Sequence, residues 1–269
     1  MINYFYSSIF GTVQGITEFL PISSSGHLVV LHNFITLPIS NEMAFDVILH
    51  FGSLLAVIYF FRKDIVLLFT SWLRSFRGEG GKLGKISWLI ILGTIPAALA
   101  GFFFNDLIEI YFRSVYIVVT MLILVGLLFI IFERYSKQNK EFNNIGFKEV
   151  LIIGFAQVIA FIPGTSRSGI TIIAGLSANL KREAAVRFSF LLSIPIIFGA
   201  VINKIPLIII NKPLTEELFI LIIGFIFSYF ASFFTIKYFI RFVKNRSLNI
   251  FAIYRFILAA VILIYFFAV

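Results

Sequence analysis

Six apolar stretches recur along this chain, and each is long enough to cross a lipid bilayer as a helix. A helix needs about 20 apolar residues to cross roughly 30 Å of hydrocarbon. The chain is 60% hydrophobic and 13% charged, whereas a soluble domain is about 25% charged. We therefore predict an all-α polytopic membrane protein with one integral membrane domain over residues 1–269. The predicted spans are 43–61, 86–104, 115–132, 184–202, 217–236 and 248–267.

Two further segments share one motif, in which a Gly and a Gln three residues apart lead to a Pro and a hydroxyl-rich turn ending in Gly. They are residues 11–28 (GTVQGITEFLPISSSGHL) and 154–171 (GFAQVIAFIPGTSRSGIT), 143 residues apart. Because Pro21 and Pro163 interrupt a helical pattern, we predict that each segment is a re-entrant, broken helical hairpin. Irregular backbone at membrane depth is tolerated only where it lines a cavity within the protein.

The second half of the chain also resembles the first beyond these motifs, since residues 89–104 resemble residues 221–236. Three basic segments, around residues 74–85, 134–148 and 237–246, are predicted to be cytoplasmic loops. If six spans are connected by these cytoplasmic loops, both termini and the segment 105–114 lie outside. Each half then has one hairpin and three spans, which predicts an inverted-topology repeat. Repeat 1 covers about residues 1–140 and repeat 2 about 145–269.

The charge and cysteine content exclude several classes of function. The net charge is +9, but the basic residues lie mainly between apolar stretches, so we expect no nucleic-acid partner. The chain has no cysteine, which excludes a disulfide, a thiolate nucleophile and a Cys-ligated metal. The first apolar segment carries Gln14 and Glu18 and lacks a basic start, so we expect it to be retained rather than cleaved.

The first motif places two polar side chains on one helix face, because Gln14 and Glu18 are four residues apart. A carboxylate at bilayer depth costs about 2.5–3.5 kcal/mol on insertion scales, so it should face the interior. Arg167 is the expected partner of Glu18. The alternative is that Glu18 only bonds backbone or a neighbouring arginine and has no chemical role.

The second motif predicts a phosphate-binding site. Its turn puts the Arg167 guanidinium among the hydroxyls of Thr165, Ser166 and Ser168, with Thr171 one turn later. Backbone N–H groups at a turn and helix N-terminus attract anions, and arginine offers a planar fork that matches phosphate oxygens.

The first turn supplies hydroxyls and an imidazole. Ser23, Ser24 and Ser25 could attack or bind phosphorus, and His27 could transfer a proton near neutral pH. The alternative for this turn is a serine cap of the next helix, with His27 as a polar residue of its first turn.

The remaining acid and histidines permit fewer conclusions. Asp46 precedes His50 by one helical turn, and we leave two interpretations open: it holds a metal or orients the first turn, or it forms an ion pair near a helix end. His50 is expected only to line the cavity. The three His residues lack the spacing of a zinc site.

The strings QGITEFLPISSSGHL and PGTSRSGIT closely resemble the signature regions of the undecaprenyl-diphosphate phosphatase family, the bacitracin-resistance type of bacterial membrane phosphatase. FDVILHFGSLLAV and RFSFLLSIP resemble the helices that follow those regions, so the likeness covers nearly the whole chain. By motif position, the resemblance assigns Glu18, Ser24, His27 and Arg167 to the family's catalytic set. Gln14 stands where many members carry Glu, which weakens any mechanism that needs two carboxylates there.

The resemblance implies hydrolysis of undecaprenyl diphosphate to undecaprenyl phosphate and inorganic phosphate, in the bacterial cytoplasmic (inner) membrane with the site open to the outer face. This reaction recycles the lipid carrier for peptidoglycan synthesis and confers bacitracin resistance. In the implied mechanism, Arg167 and the second turn hold the diphosphate while Ser24, or a water, attacks. Glu18 and His27 transfer protons, and Glu18, with Asp46, holds a divalent cation such as Mg²⁺.

The competing hypothesis is a transporter, or flippase, that carries polyprenyl phosphate or another anionic lipid across the bilayer. Such a carrier would need Arg167 but neither a nucleophile nor a proton-transfer group. A dimeric structural protein would leave the buried charges unexplained. Oligomeric state stays open, with a homodimer as one option.

Overall fold

A computed structural model describes residues 1–111, 114–211 and 215–268, with side chains described except at 104–113, 205–214 and 267–269. The acidic segment predicted at 105–114 thus falls almost wholly outside the described side chains. In the described ranges the chain forms eleven α-helices and a short 3-10 helix at Phe142–Asn144. The α-helices are α1 (Ile2–Phe19), α2 (Ser24–Phe34), α3 (Glu42–Phe60), α4 (Arg62–Ser75), α5 (Gly81–Tyr111), α6 (Val115–Tyr135), α7 (Phe147–Ile159), α8 (Arg167–Ser177), α9 (Arg182–Asn211), α10 (Thr215–Asn245) and α11 (Asn249–Ala268).

Six of the described helices are long and apolar enough to cross a membrane, which confirms the predicted fold class and the number of spans. They are α3, α5, α6, α9, α10 and α11, with mean hydropathy between 1.9 and 3.1 over the most apolar window. Apolar side chains cover their outer surfaces, as a lipid-facing surface requires. The protein is therefore a multi-pass membrane protein.

Two local features differ from the sequence prediction. The helix α10 continues through Lys237, Arg241 and Lys244, which the hydropathy pattern assigned to a loop. The sequence pattern also did not predict α4, a short helix directly after α3 that begins with Arg62 and Lys63. Its exposed apolar residues and charged ends are typical of a helix that lies in a membrane interface, and a search for spans does not detect such a helix.

The two motif segments each form a helix, a break and a second helix. In the first, α1 ends at Phe19, Leu20 adopts an extended conformation before Pro21, and α2 begins at Ser24. In the second, α7 ends at Ile159 and α8 begins at Arg167. Proline excludes the residue before it from the helical region, which explains the end of α1. The re-entrant placement of these hairpins in the bilayer stays a prediction.

The two hairpins pack in matching ways against opposite halves of the chain. In α1, a Cβ added at Gly11 would lie 2.2 Å from the carbonyl oxygen of Gly224 in α10. In α7, a Cβ added at Gly154 would lie 2.8 Å from the carbonyl oxygen of Gly93 in α5. Glycine is required at both crossings because the helix backbones approach so closely.

Two further helix pairs fit the same relation, since α3 packs against α9 and α6 packs against α11. Such contacts are expected of two related copies, because exchanging the halves maps α3 with α9 and α6 with α11 onto themselves, and maps α1 with α10 onto α7 with α5. The repeat boundaries, near residues 140 and 145, and the inversion of the halves stay predictions.

Candidate active site

The two breaks have the same local geometry. Ser23 and Ser166, the N-caps of α2 and α8, have φ of 73° and 71°. Each side chain accepts a hydrogen bond from a glycine N–H three residues later, Gly26 at 3.4 Å and Gly169 at 3.2 Å. A positive φ is unfavourable for serine and persists only where the surroundings enforce it. The first helical residues are therefore Ser24 in one hairpin and Arg167 in the other, at equivalent positions of the two motifs.

Both of these residues contact one carboxylate. The Ser24 hydroxyl donates to Glu18 Oε2 at 2.9 Å, and Arg167 Nη2 donates to Glu18 Oε1 at 2.9 Å. Glu18 is 7% exposed. The ion pair between Glu18 and Arg167 that the sequence led us to expect is thus present, and the geometry adds Ser24 on the second oxygen.

Two more side chains complete the surroundings of Glu18. Gln14 Nε2 lies 3.0 Å from Glu18 Oε2 and 2.8 Å from His50 Nδ1. His50 Nδ1 is itself 3.3 Å from Glu18 Oε2. We expected His50 only to line the cavity, so this contact is a finding of the structure. His50 lies on α3 and Glu18 on α1, so residue spacing along the chain could not predict that they are in contact.

His27 lies on the same helix as Ser24 but points to other partners. Its Nδ1 is 2.8 Å from the carbonyl oxygen of Ser23, so Nδ1 carries the proton, and its Nε2 is 2.6 Å from the hydroxyl of Tyr254. The basic nitrogen Nε2 is therefore directed towards α11. Tyr254 was not identified from the sequence, because one tyrosine in an apolar span gives no signal.

The predicted phosphate-binding hydroxyls differ in their availability. Ser25 is exposed and its hydroxyl lies 3.3 Å from that of Ser23. By contrast, Ser168 donates to the carbonyl oxygen of Leu20 at 3.1 Å, and Thr171 is bonded to the carbonyl of Arg167. The roles of these residues, and of Gln14, Thr165 and Ser166, in phosphate binding stay predictions.

The Thr165 hydroxyl is buried without a hydrogen-bond partner in the part of the chain that the structure describes. The same holds for both polar atoms of Gln157, which occupies the position of Gln14 in the second motif. Buried polar groups normally find a partner, so unpaired groups are expected where water enters.

A cavity of about 700 Å³ opens beside the first turn. Ser25, Gly26 and His50 form part of its wall on the side of the site, and His32 and Asp46 form another polar part. The rest is largely apolar, from Leu28, Val29, Val115, Val118, Ile262 and Phe266. The cavity can therefore hold a polar headgroup next to an apolar chain.

Asp46 is paired with a histidine in this wall. His32 Nε2 lies 3.0 Å from Asp46 Oδ1, and Glu42 is 3.7 Å from the other ring nitrogen. The described residues contain no group of three or more His, Asp or Glu side chains placed to hold a metal ion. Beside Glu18, Gln14 Oε1 is an oxygen of the kind that binds hard cations, and it is buried without a partner among the described atoms.

Comparison with known proteins identifies the family of this chain. Residues 7–261 match the family described as bacitracin resistance protein BacA. The chain is also 40% identical over 267 residues to an undecaprenyl-diphosphatase of Rubrobacter xylanophilus, an alignment that covers 97% of this chain and 98% of that protein. The family match includes the breaks of both hairpins and the apolar helices, and it ends within α11. This chain belongs to the bacitracin resistance protein BacA family.

Proposed function

We propose that this protein hydrolyses undecaprenyl diphosphate to undecaprenyl phosphate and inorganic phosphate. The proposal rests on one observation: Ser24 and Arg167, which belong to two separate hairpins, both donate hydrogen bonds to the Glu18 carboxylate. A hydroxyl paired with a carboxylate base, beside an arginine suited to phosphate, is the minimum set for phosphoryl transfer. The reaction recycles the lipid carrier for peptidoglycan synthesis and so confers resistance to bacitracin.

Arg167 binds the terminal phosphate and Glu18 accepts the proton. As the phosphate enters, the guanidinium shifts part of its hydrogen bonding from Glu18 Oε1 to phosphate oxygens and stabilises the charge of the transition state. The released carboxylate is then a stronger base towards Ser24, whose hydroxyl is 2.9 Å away. The mechanism thus couples substrate binding to activation of the nucleophile.

Two routes complete the reaction. In the covalent route, Ser24 Oγ bonds to the terminal phosphorus, its proton moves to Glu18, and the bond from phosphorus to the bridging oxygen breaks. Undecaprenyl phosphate leaves and takes the proton from Glu18. Water then attacks the phosphoserine with Glu18 or His27 as base, the bond from phosphorus to Ser24 Oγ breaks, Oγ regains a proton, and inorganic phosphate is released. In the direct route, Ser24 orients a water that attacks the phosphorus itself. Labelled phosphate trapped on Ser24 during a single turnover distinguishes the covalent route from the direct one.

We propose that the site opens to the outer face of the bacterial cytoplasmic membrane. The cavity is lined by the beginnings of α3 and α6 and the end of α11. The basic segments lie at the opposite ends of these helices, after α4, after α6 and before α11. Ion pairs such as Lys244 with Glu183 and Arg182 with Glu133 connect elements at that basic end. By the positive-inside rule the basic end is cytoplasmic, so the cavity faces outward.

A divalent cation, with Mg²⁺ as the expected ion, fits this site only together with the substrate. Mg²⁺ is bound by one or two protein oxygens plus phosphate oxygens. Gln14 Oε1 and the Glu18 carboxylate would be the first candidates, with Asp46 in the cavity wall as a further one. When bound, the cation would neutralise charge on the diphosphate. If this is right, EDTA abolishes phosphate release and Mg²⁺ restores it, whereas full activity in EDTA would contradict a cation requirement.

The central experiment measures phosphate release from undecaprenyl diphosphate by the protein purified in detergent. Arg167→Ala and Ser24→Ala should each lose activity. Arg187→Ala and Ser177→Ala are matched controls, because Arg187 pairs with Asp64 at the basic end and Ser177 bonds only its own helix. A folded protein that binds the lipid through Arg167 but releases no phosphate would favour the flippase instead.

A further inference from the structure

Arg255, near the start of α11, is the largest fully buried side chain of the described protein. Its guanidinium donates five hydrogen bonds, and every acceptor is a main-chain carbonyl oxygen. The acceptors are Leu122 at 3.1 Å, Pro21 at 3.2 Å, Met121 at 3.1 Å, Gly164 at 2.8 Å and Thr165 at 3.1 Å. Arg255 forms no ion pair with the side chains that the structure describes, and the dipoles of these five peptide groups stabilise its charge.

Three of these acceptors belong to the two breaks in the hairpins. Pro21 lies in the first break, and Gly164 and Thr165 lie in the second. Pro21 and Gly164 also occupy equivalent positions, since they are separated by the same 143 residues as Ser23 and Ser166. One guanidinium therefore binds the same carbonyl of both motif copies and lies between the two hairpins.

The catalytic geometry needs such a connection. Arg167 reaches Glu18 and its partner Ser24 only if the two breaks keep a fixed separation, because the two hairpins belong to different halves of the chain. The other hydrogen bond described between the breaks is the one from Ser168 to the Leu20 carbonyl, at 3.1 Å. The left-handed backbone at Ser166 must also be enforced by its surroundings, and Arg255 holds the carbonyl that directly precedes it.

We propose that Arg255 is a positioning residue that clamps the two breaks together and so sets the distance from Arg167, on the second hairpin, to Glu18 and Ser24 on the first. It acts through the backbone of both turns rather than by contact with the substrate. Lysine cannot replace it, because an ammonium donates from a single atom whereas the guanidinium spreads five donors over a planar fork. For its kinetic readout this inference rests on the proposed phosphatase function.

The kinetic test compares Arg255→Lys and Arg255→Gln with the native protein. A displacement of about 1 Å in a catalytic site can cost about 100-fold in rate, so we expect kcat to fall about 100-fold in both variants. KM should stay within about threefold, because Arg167 can still bind phosphate. If Arg255→Lys folds and keeps kcat within threefold of the native value, the clamp is refuted and only the charge matters.

Disulfide cross-linking tests the clamp without an activity assay. The chain has no cysteine of its own, so introduced cysteines can form only the intended disulfide within the chain. A Cβ placed at Gly169 would lie 3.6 Å from Pro21 Cβ, and disulfides join Cβ atoms about 3.8 Å apart. The double variant Pro21→Cys/Gly169→Cys should therefore cross-link the two breaks on mild oxidation in native membranes. With Arg255→Lys added, we expect cross-linking to slow about tenfold or more, whereas equal rates would overturn the proposal.

Arg182→Lys is the matched control for folding. Arg182 is a partly buried arginine with a bidentate bond to Glu133, far from the breaks along the chain. It should lower stability without changing kcat or the cross-linking rate. If neither Arg255 variant folds while Arg182→Lys does, Arg255 serves the fold as a whole and the proposal fails. If the native protein releases no phosphate, the phosphatase assignment fails, and cross-linking still decides the clamp.

Discussion

Glu18→Gln tests the chemistry of the site most directly. The amide has the shape of the carboxylate but cannot take a proton from Ser24. If its oxygen accepts from Arg167, at the position of Oε1, its NH2 group faces Gln14 Nε2, which lies 3.0 Å from Oε2 in the native protein. The variant therefore loses the base and brings two donors together.

The expected loss follows from the role of a general base, which contributes about 10² to 10⁴ in rate. Each tenfold loss in rate corresponds to 1.36 kcal/mol of activation free energy. The activation free energy of the variant should therefore rise by about 3 to 5 kcal/mol. KM should not rise, because Arg167 is released from its carboxylate and can bind phosphate fully. For the same reason, inorganic phosphate should raise the melting temperature of the variant more than that of the native protein.

The assay is phosphate release over a range of substrate concentrations, with thermal unfolding in the same detergent. Glu217→Gln is the matched control: Glu217 is 8% exposed, accepts hydrogen bonds from Ser40, and lies outside the proposed site. It should change stability but not kcat. A Glu18→Gln protein with kcat within threefold of native would refute the assignment of Glu18 as the base.

Three further predictions concern other parts of the molecule. Ser24→Ala removes the nucleophile or the group that orients water, so kcat should fall at least 100-fold while binding of inorganic phosphate, measured by thermal shift, is retained; loss of binding alone would contradict this role. Tyr254→Phe removes the hydroxyl 2.6 Å from His27 Nε2, which should change kcat and its dependence on pH with little change in stability, and an unaltered pH profile would show that Tyr254 does not control His27. Gly11→Ala adds a methyl group 2.2 Å from the facing carbonyl and should destabilise the protein by about 1–3 kcal/mol through overpacking; Gly199→Ala, with nothing within 4 Å of its added carbon, should leave the melting temperature unchanged, and equal melting temperatures for the two variants would contradict the close crossing.

The sequence predicts the features that depend on local pattern. Length and hydropathy suffice for the six spans, and a proline followed by a Ser/Gly turn suffices for each break, because both follow from the backbone near those residues. The charge balance also leads to the pairing of Glu18 with Arg167, since a buried carboxylate needs a cation and the second motif supplies one.

What the sequence does not predict depends on contacts between distant helices. In the sequence, Arg255 resembles any basic residue in the first turns of a span. Its contacts with both breaks form only when the two halves of the chain pack together. His50 and Tyr254 are likewise ordinary residues of apolar helices until packing brings them to Glu18 and His27. Asp46 had two open interpretations, and the structure shows it paired with His32.

The close crossing of α1 with α10 also has a consequence for synthesis of the protein in the cell. About 226 residues separate the end of α1 from the end of α10, which corresponds to roughly 10 to 45 s of translation at about 5–20 residues per second. During that interval the first hairpin lacks the helix that covers its glycine face, and Glu18 lacks Arg167 until α8 has been made. The early chain must therefore keep these polar groups near the membrane surface, or within the insertion machinery, and the first hairpin can reach its final depth only when synthesis is nearly complete.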